Sequence, residues 1–127
     1  MTRDLYALVY TSEAVSPFSE AELDALLDAS RAYSRRADVT GFLAYEEATA
    51  ERPGTFVQRL EGPRGAVESV YRDRVLPSTR HENVEVKAEG PISRRTFGDW
   101  TMAFQRRGPD EPEGFNRLVE RLGPPPA

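Results

Sequence analysis

Two kinds of periodicity alternate along this chain in a fixed order, and that order restricts the fold more than any other feature of the sequence. Residues 4 to 12, DLYALVYTS, form an apolar and aromatic run suited to a strand covered on both faces. Ser19-Glu20-Ala21-Glu22 then has the spacing of a helix capping box, and Leu23, Leu26, Leu27, Ser30, Tyr33 and Ser34 recur at helical spacing. Val39 to Tyr45 and Phe56 to Leu60 read as two strands joined by the polar loop EEATAERPG, with its Pro-Gly turn signal. A second helix follows Gly62, presents Val67, Val70, Tyr71, Arg74 and Val75 on one face, and is stopped or disrupted by Pro77. HENVEVKA reads as a fourth strand, and WTMAF as a fifth with Trp100, Met102 and Phe104 on one face. A short helix over residues 111 to 122 and a loose GPPPA end complete the pattern.

Each helix has one apolar stripe, and a single sheet offers one apolar face to receive both. The expected class is therefore α+β: a ferredoxin-like βαββαβ sandwich with an additional C-terminal strand and two helices on one face of the sheet. At 127 residues the chain supports one modest core. The expected division is a domain over residues 1–106 and a C-terminal extension over 107–127.

A net charge of -4 argues against binding a phosphate backbone, so no nucleic-acid partner is expected, and the Arg pairs at 35–36, 94–95 and 106–107 read as solvated edges. The absence of cysteine excludes disulfides and thiolate metal sites and fits a cytoplasmic setting. No long apolar segment or hydrophobic leader is visible, so neither a membrane span nor a secretory signal is expected. His81 is the sole histidine, leaving little material for a His-rich metal site or a hydrolytic triad. Glu61, Glu68 and Asp73 read as solubilising carboxylates rather than an acid/base pair. Neither glycine-rich phosphate loop, GxxxxGK[ST] or GxGxxG, occurs.

What remains is a neutral polar set. In TFVQRLEG, Thr55 to Gly62, strand alternation puts Gln58 between Phe56 and Leu60 on one face. Inside a core its amide must find partners or cost about 1–3 kcal/mol. Tyr10 on the first strand can meet Gln58 on the third, while Ser30 and Ser34 stand four apart where a packing stripe would prefer Leu. Such a slot suits a flat heterocycle with carbonyl and N–H edges. A Tyr–Gln pair that satisfies itself, with the serines bonded back to their helix, explains the same residues. Trp100 and Met102 read on this basis as core.

The ordered set LVYTS (8–12), SRAYSRRADVTGFLAY (30–45), TFVQRLEG (55–62), TRHENVEV (79–86) and RRTFGDWTMAF (94–104) resembles the BLUF family, the blue-light sensors using flavin. The resemblance spans residues 4 to 105 and implies a short, stand-alone, non-enzymatic member with FAD lying between the two helices. It implies that Tyr10 and Gln58 are the photoactive pair, with Gln58 exchanging hydrogen bonds with the phenol and the flavin. It further implies that Ser12, Ser30, Ser34, Gln58, Arg80 and His81 bind the cofactor, and that Trp100 and Met102 relay the change to the sheet. A downstream protein or a homodimer is the partner expected on this basis. Tyr33 and Ser34 occupy the positions where the family commonly has asparagine, which implies weaker flavin retention. The acidic residue before Arg-His is replaced within Ser78-Thr79, the hairpin at 46 to 54 is extended, and the segment from Gly62 to Arg80 is one residue longer than the family's. A light-insensitive interaction domain with the same sheet, and an acylphosphatase-like enzyme, are the rival readings.

Overall fold

The computed structural model describes residues 4–123, and the end of the GPPPA tail, from Pro124 on, lies outside the described residues. Strand β1 (Leu5–Ala14) leads into helix α1 (Glu20–Arg36), followed by the hairpin of β2 (Thr40–Glu46) and β3 (Thr55–Pro63). Helix α2 (Arg64–Val70) runs into a π-type turn (Tyr71–Val75), and strands β4 (His81–Ile92) and β5 (Ala103–Arg107) precede helix α3 (Phe115–Leu122). The sheet order is β4-β1-β3-β2-β5, antiparallel except for the β2–β5 pair. This is the ferredoxin-like plan with a fifth strand added beside β2.

Helix α1 starts where its sequence signal lies. Ser19 Oγ accepts from Glu22 N, and the Glu22 carboxylate accepts from Ser19 N, so the capping box is closed. Leu23 and Leu27 of α1 and Val67 and Val70 of α2 pack with Tyr6, Leu8, Leu43, Phe56 and Leu60 on one face of the sheet. The opposite face carries a smaller core, in which Leu118 and Leu122 of α3 close over Val9, Ala44 and Val57. The sheet is therefore enclosed between α1/α2 and α3.

The end of α2 is wound more loosely than an α-helix. Leu76 N donates to Tyr71 O at 3.0 Å, an i to i−5 bond that spans one residue more than an α turn. Val67, Val70 and Val75 are buried, while Tyr71 is half-buried and Arg74 exposed, so the five do not form one uniform buried face.

Four expectations need correction. The fifth strand begins at Ala103, not at Trp100: Met102 O accepts from the Arg31 side chain rather than from β2, although Trp100 O still accepts from Gly41 N of β2 at 3.4 Å. Trp100 and Met102 consequently share no face; Trp100 is 59% exposed and Met102 1%. Glu61 is not a solubilising residue but has no exposed surface, and Arg107 of the 106–107 pair is buried against Glu46. Glu61 lies under the Thr96–Phe97 segment and Arg107 under the approach to α3 at Glu113.

The glycine of Val39-Thr40-Gly41 is set by close approach of β2 and β3. A Cβ at Gly41 would stand 1.8 Å from the Arg59 carbonyl oxygen, which is backbone and cannot swing away. Gly41→Ala is expected to lower stability by about 1–3 kcal/mol or more, read as a reduced urea midpoint; an unchanged midpoint would mean the strands can part here without loss.

Candidate functional site

The β1–β3 ladder sets Tyr10 directly opposite Gln58. Side chains of directly opposed residues project to the same side of a sheet, and here that side lies beneath α1 and α2. The Tyr10 hydroxyl donates to Gln58 Oε1 at 2.5 Å, and both residues are almost fully buried. Gln58 Nε2 points the other way, with Ser30 Oγ and Met102 Sδ each at 3.4 Å. Those contacts are long, and a sulfur is a weak acceptor, so the amide N–H groups are poorly satisfied.

Above this pair lies a cavity of about 290 Å³. Tyr10, Phe56 and Gln58 line it from the sheet, Ser30 and Tyr33 from α1, and Arg74 from the π-type turn. Burial holds the Tyr10 phenol well above the usual tyrosine range, with the neighbouring Tyr33 and Tyr71 adding to the effect. Tyr10 therefore keeps its proton at any pH where the fold is of interest. Its ring lies 5.7 Å from that of Tyr71 and 6.3 Å from that of His81.

The remaining residues singled out in the sequence are dispersed around this centre. Arg80 and His81 line the cavity mouth. Arg80 also bonds the Glu22 carboxylate at 2.7 Å and lies over the Phe18 ring, which ties the mouth to the start of α1. His81 bridges Ser12 Oγ (2.7 Å) and Val75 O (2.8 Å). A carbonyl can only accept, so Nε2 donates to Val75 O, while Nδ1 meets the Ser12 hydroxyl, which can either donate or accept. Ser12 is thus a support for His81 rather than part of the cavity lining. Ser34 is also off the lining, one helical turn from Ser30, fully buried, and its Oγ has no hydrogen-bond partner among the described residues. Met102 reaches Gln58, whereas Trp100 is at the surface.

Sequence reasoning passed over Phe18 and gave Tyr33 only a place on the helical stripe and at a replaced asparagine position; both line the cavity. It also passed over the buried Arg59–Glu61 ion pair at 3.0 Å, although two charges alternating with Gln58 and Leu60 were visible in QRLEG. Among the described residues, no group of three or more His, Cys, Asp or Glu could hold a metal ion, and no helix is long and apolar enough to cross a membrane.

Residues 5–103 match the BLUF family, described as sensors of blue light using FAD. The chain belongs to the BLUF family. Its BLUF segment is 35% identical over 104 residues to the photoactivated adenylate cyclase subunit alpha of Euglena gracilis, covering 80% of this chain and 10% of that protein. It is 31% identical over 99 residues to the subunit beta of Euglena longa, covering 77% of this chain and 11% of that one. The chain thus spans about a tenth of the length of these curated relatives. Among solved structures, the BLUF protein BlrB in its dark state superposes with a TM-score of 0.75 at 26% identity, covering 94% of this chain and 96% of that one. A bacterial light-regulated adenylyl cyclase superposes with a TM-score of 0.71 at 28% identity, covering 80% and 28%. As a BLUF domain, the chain is a blue-light sensor that uses a flavin.

Proposed function

We propose that the flavin is FAD, that its ring system enters the cavity between α1 and α2, and that Tyr10 and Gln58 are the light-switched pair. The supporting observation is unmet hydrogen-bonding capacity in and beside this region: Gln58 Nε2 on the cavity wall with two 3.4 Å contacts and, one helical turn from the lining residue Ser30, the fully buried Ser34 hydroxyl without a partner among the described residues. A ring edge carrying carbonyl and nitrogen acceptors would satisfy the first, and its N–H would suit the second. The residues present therefore fit the group. A cavity of about 290 Å³ is at the small end for ligand sites, about 300–1,000 Å³. It suits a ring system whose tail leaves past Arg74 and Arg80.

When bound, an oxidised flavin absorbs blue light and becomes a stronger electron acceptor. The chain's part is to hold and move a proton in a water-poor slot. Tyr10 Oη presents its proton to Gln58 Oε1 along a short bond, and Gln58 bridges Tyr10 to Ser30 and Met102. A rotated or tautomerised Gln58 exchanges those partners, and its return restores the dark arrangement. Met102 is adjacent to the amide and would register the change; Trp100 would register it only through Met102 and the backbone. Ser12 and His81 would steady the cavity mouth. A downstream protein or a second copy of the chain in the cytoplasm would receive the signal, as suggested by relatives in which the matched segment is a small part of a longer protein.

Purified protein is expected to be yellow and to release FAD, rather than FMN or riboflavin, on denaturation, as identified by chromatography. Failure to show saturable binding with excess FAD would sink the reading. Ser34→Asn is expected to tighten binding about five- to ten-fold, the worth of one added hydrogen bond of about 1 kcal/mol, measured by flavin fluorescence titration. An unchanged or weaker affinity in a folded variant would mean that Ser34 is not at the ring edge.

A further inference from the structure

Gln58 and Glu61 are three residues apart on β3 and project to opposite faces of the sheet, Gln58 to the cavity and Glu61 to the α3 side. Glu61 is a fully buried carboxylate with four donors. Oε2 accepts from Arg59 Nε and from the backbone N–H of Thr96, both at 3.0 Å. Oε1 accepts from the backbone N–H of Phe97 at 2.5 Å and from Thr40 Oγ1 at 3.2 Å. A carboxylate held by two consecutive backbone amides and an arginine fixes the backbone it bonds, because each N–H would otherwise be left unpaired in a buried setting.

The fixed backbone leads back to the cavity. Phe97 O accepts from Trp100 N at 3.0 Å, Trp100 O accepts from Gly41 N, and two residues on Met102 Sδ meets Gln58 Nε2. Arg95 secures the same segment from its other end, donating to Thr40 Oγ1 at 3.0 Å and Asp38 O at 2.9 Å. Met102 lies outside the β5 ladder, so its position depends on these attachments and on the Arg31 bond to its carbonyl.

We infer that Glu61 is a positioning residue for the Gln58 switch: from the far side of the sheet it holds the 95–102 segment so that Met102 is set against the Gln58 amide. Glu61 touches neither the cavity nor Gln58 and acts only through that segment. The inference rests on the light-switch reading of Tyr10 and Gln58. Loosening the segment withdraws the sulfur from Nε2, which removes a contact that favours the dark arrangement of the amide and slows its return.

The test uses the full chain. Met102 is one of two methionines, so a ¹³C-methyl methionine label gives a spectrum with one informative signal. Glu61→Gln keeps the side-chain volume but replaces one acceptor oxygen with a donor facing other donors. In flavin-free protein it is expected to shift or broaden the Met102 methyl signal. In flavin-loaded protein it is expected to slow dark recovery about three-fold or more, at the low end of couplings within one hydrogen-bond network, with flavin affinity unchanged. Met102→Ala should slow recovery similarly, and the double variant should be no slower than Met102→Ala alone. An unmoved methyl signal, unchanged recovery, or effects of the two substitutions that add would each overturn the inference. If Glu61→Gln does not fold, Arg95→Met loosens the same segment, and the same readings decide. If no flavin binds, the light-switch reading fails on its own while the methyl signal still reports whether Glu61 positions Met102.

Discussion

Replacing Tyr10 with Phe is expected to leave the flavin bound and the light-minus-dark spectrum nearly flat. Phe keeps the ring that packs against Tyr71 and removes only the hydroxyl, which donates the 2.5 Å bond to Gln58 Oε1. The core therefore loses little volume, while the switch loses the proton it moves. Burial raises the Tyr10 pKa well above the ordinary tyrosine value, so the wild-type response should not fail near pH 8 through ionisation of this phenol. Gln58→Leu is expected to give the same flat spectrum for a different reason. It fills the space but removes both the acceptor for Tyr10 and the donor toward Ser30 and Met102. The measurement is absorbance difference under blue light at matched flavin occupancy, and a normal red-shift in either variant would show that the switching network lies elsewhere.

The largest stability effect is expected on the opposite face of the sheet. Glu61→Leu leaves the Arg59 guanidinium, 2% exposed, without its carboxylate, and strands the N–H groups of Thr96 and Phe97. Removing one member of a buried ion pair typically costs about 3–5 kcal/mol. Arg59 keeps bonds to Leu122 O and Thr96 Oγ1, which soften the loss but cannot neutralise the charge. Urea unfolding should show the deficit directly. Adding Arg59→Met to Glu61→Leu should recover part of it, since a neutral, packed pair avoids the desolvated charge, while the two amides remain unpaired. A single Glu61→Leu variant within about 1 kcal/mol of wild type would show that water or a rearranged segment replaces the carboxylate.

The capping box at Ser19 and Glu22, the strand alternation of Phe56, Gln58 and Leu60, and the helical stripe of Leu23 and Leu27 were readable because each depends on neighbours a few residues away. The meeting of Tyr10 and Gln58 was readable once the strand order was, because register alone carries directly opposed side chains to one face. Trp100 and Met102 were misread as sharing one face of a strand because their alternation matches a strand, while Arg31, distant in the chain, takes the Met102 carbonyl that a ladder would need. Glu61 and Arg107 were misread as surface charges because alternation tells which face a residue is on but not what covers that face.

By itself, then, the sequence determined the elements, their order, the residues facing the α1/α2 side and the membership of the BLUF family, since local periodicity and motif order are written along the chain. Only the tertiary structure decided that α3 encloses the second face, that Glu61 and Arg59 are interior there, that Ser34 is buried with its hydroxyl unpaired, and that Met102 rather than Trp100 reaches Gln58. Those outcomes depend on which distant segments exclude water from a given side chain, and a polar residue looks the same in sequence whether its partner is solvent or a backbone amide from the other end of the fold.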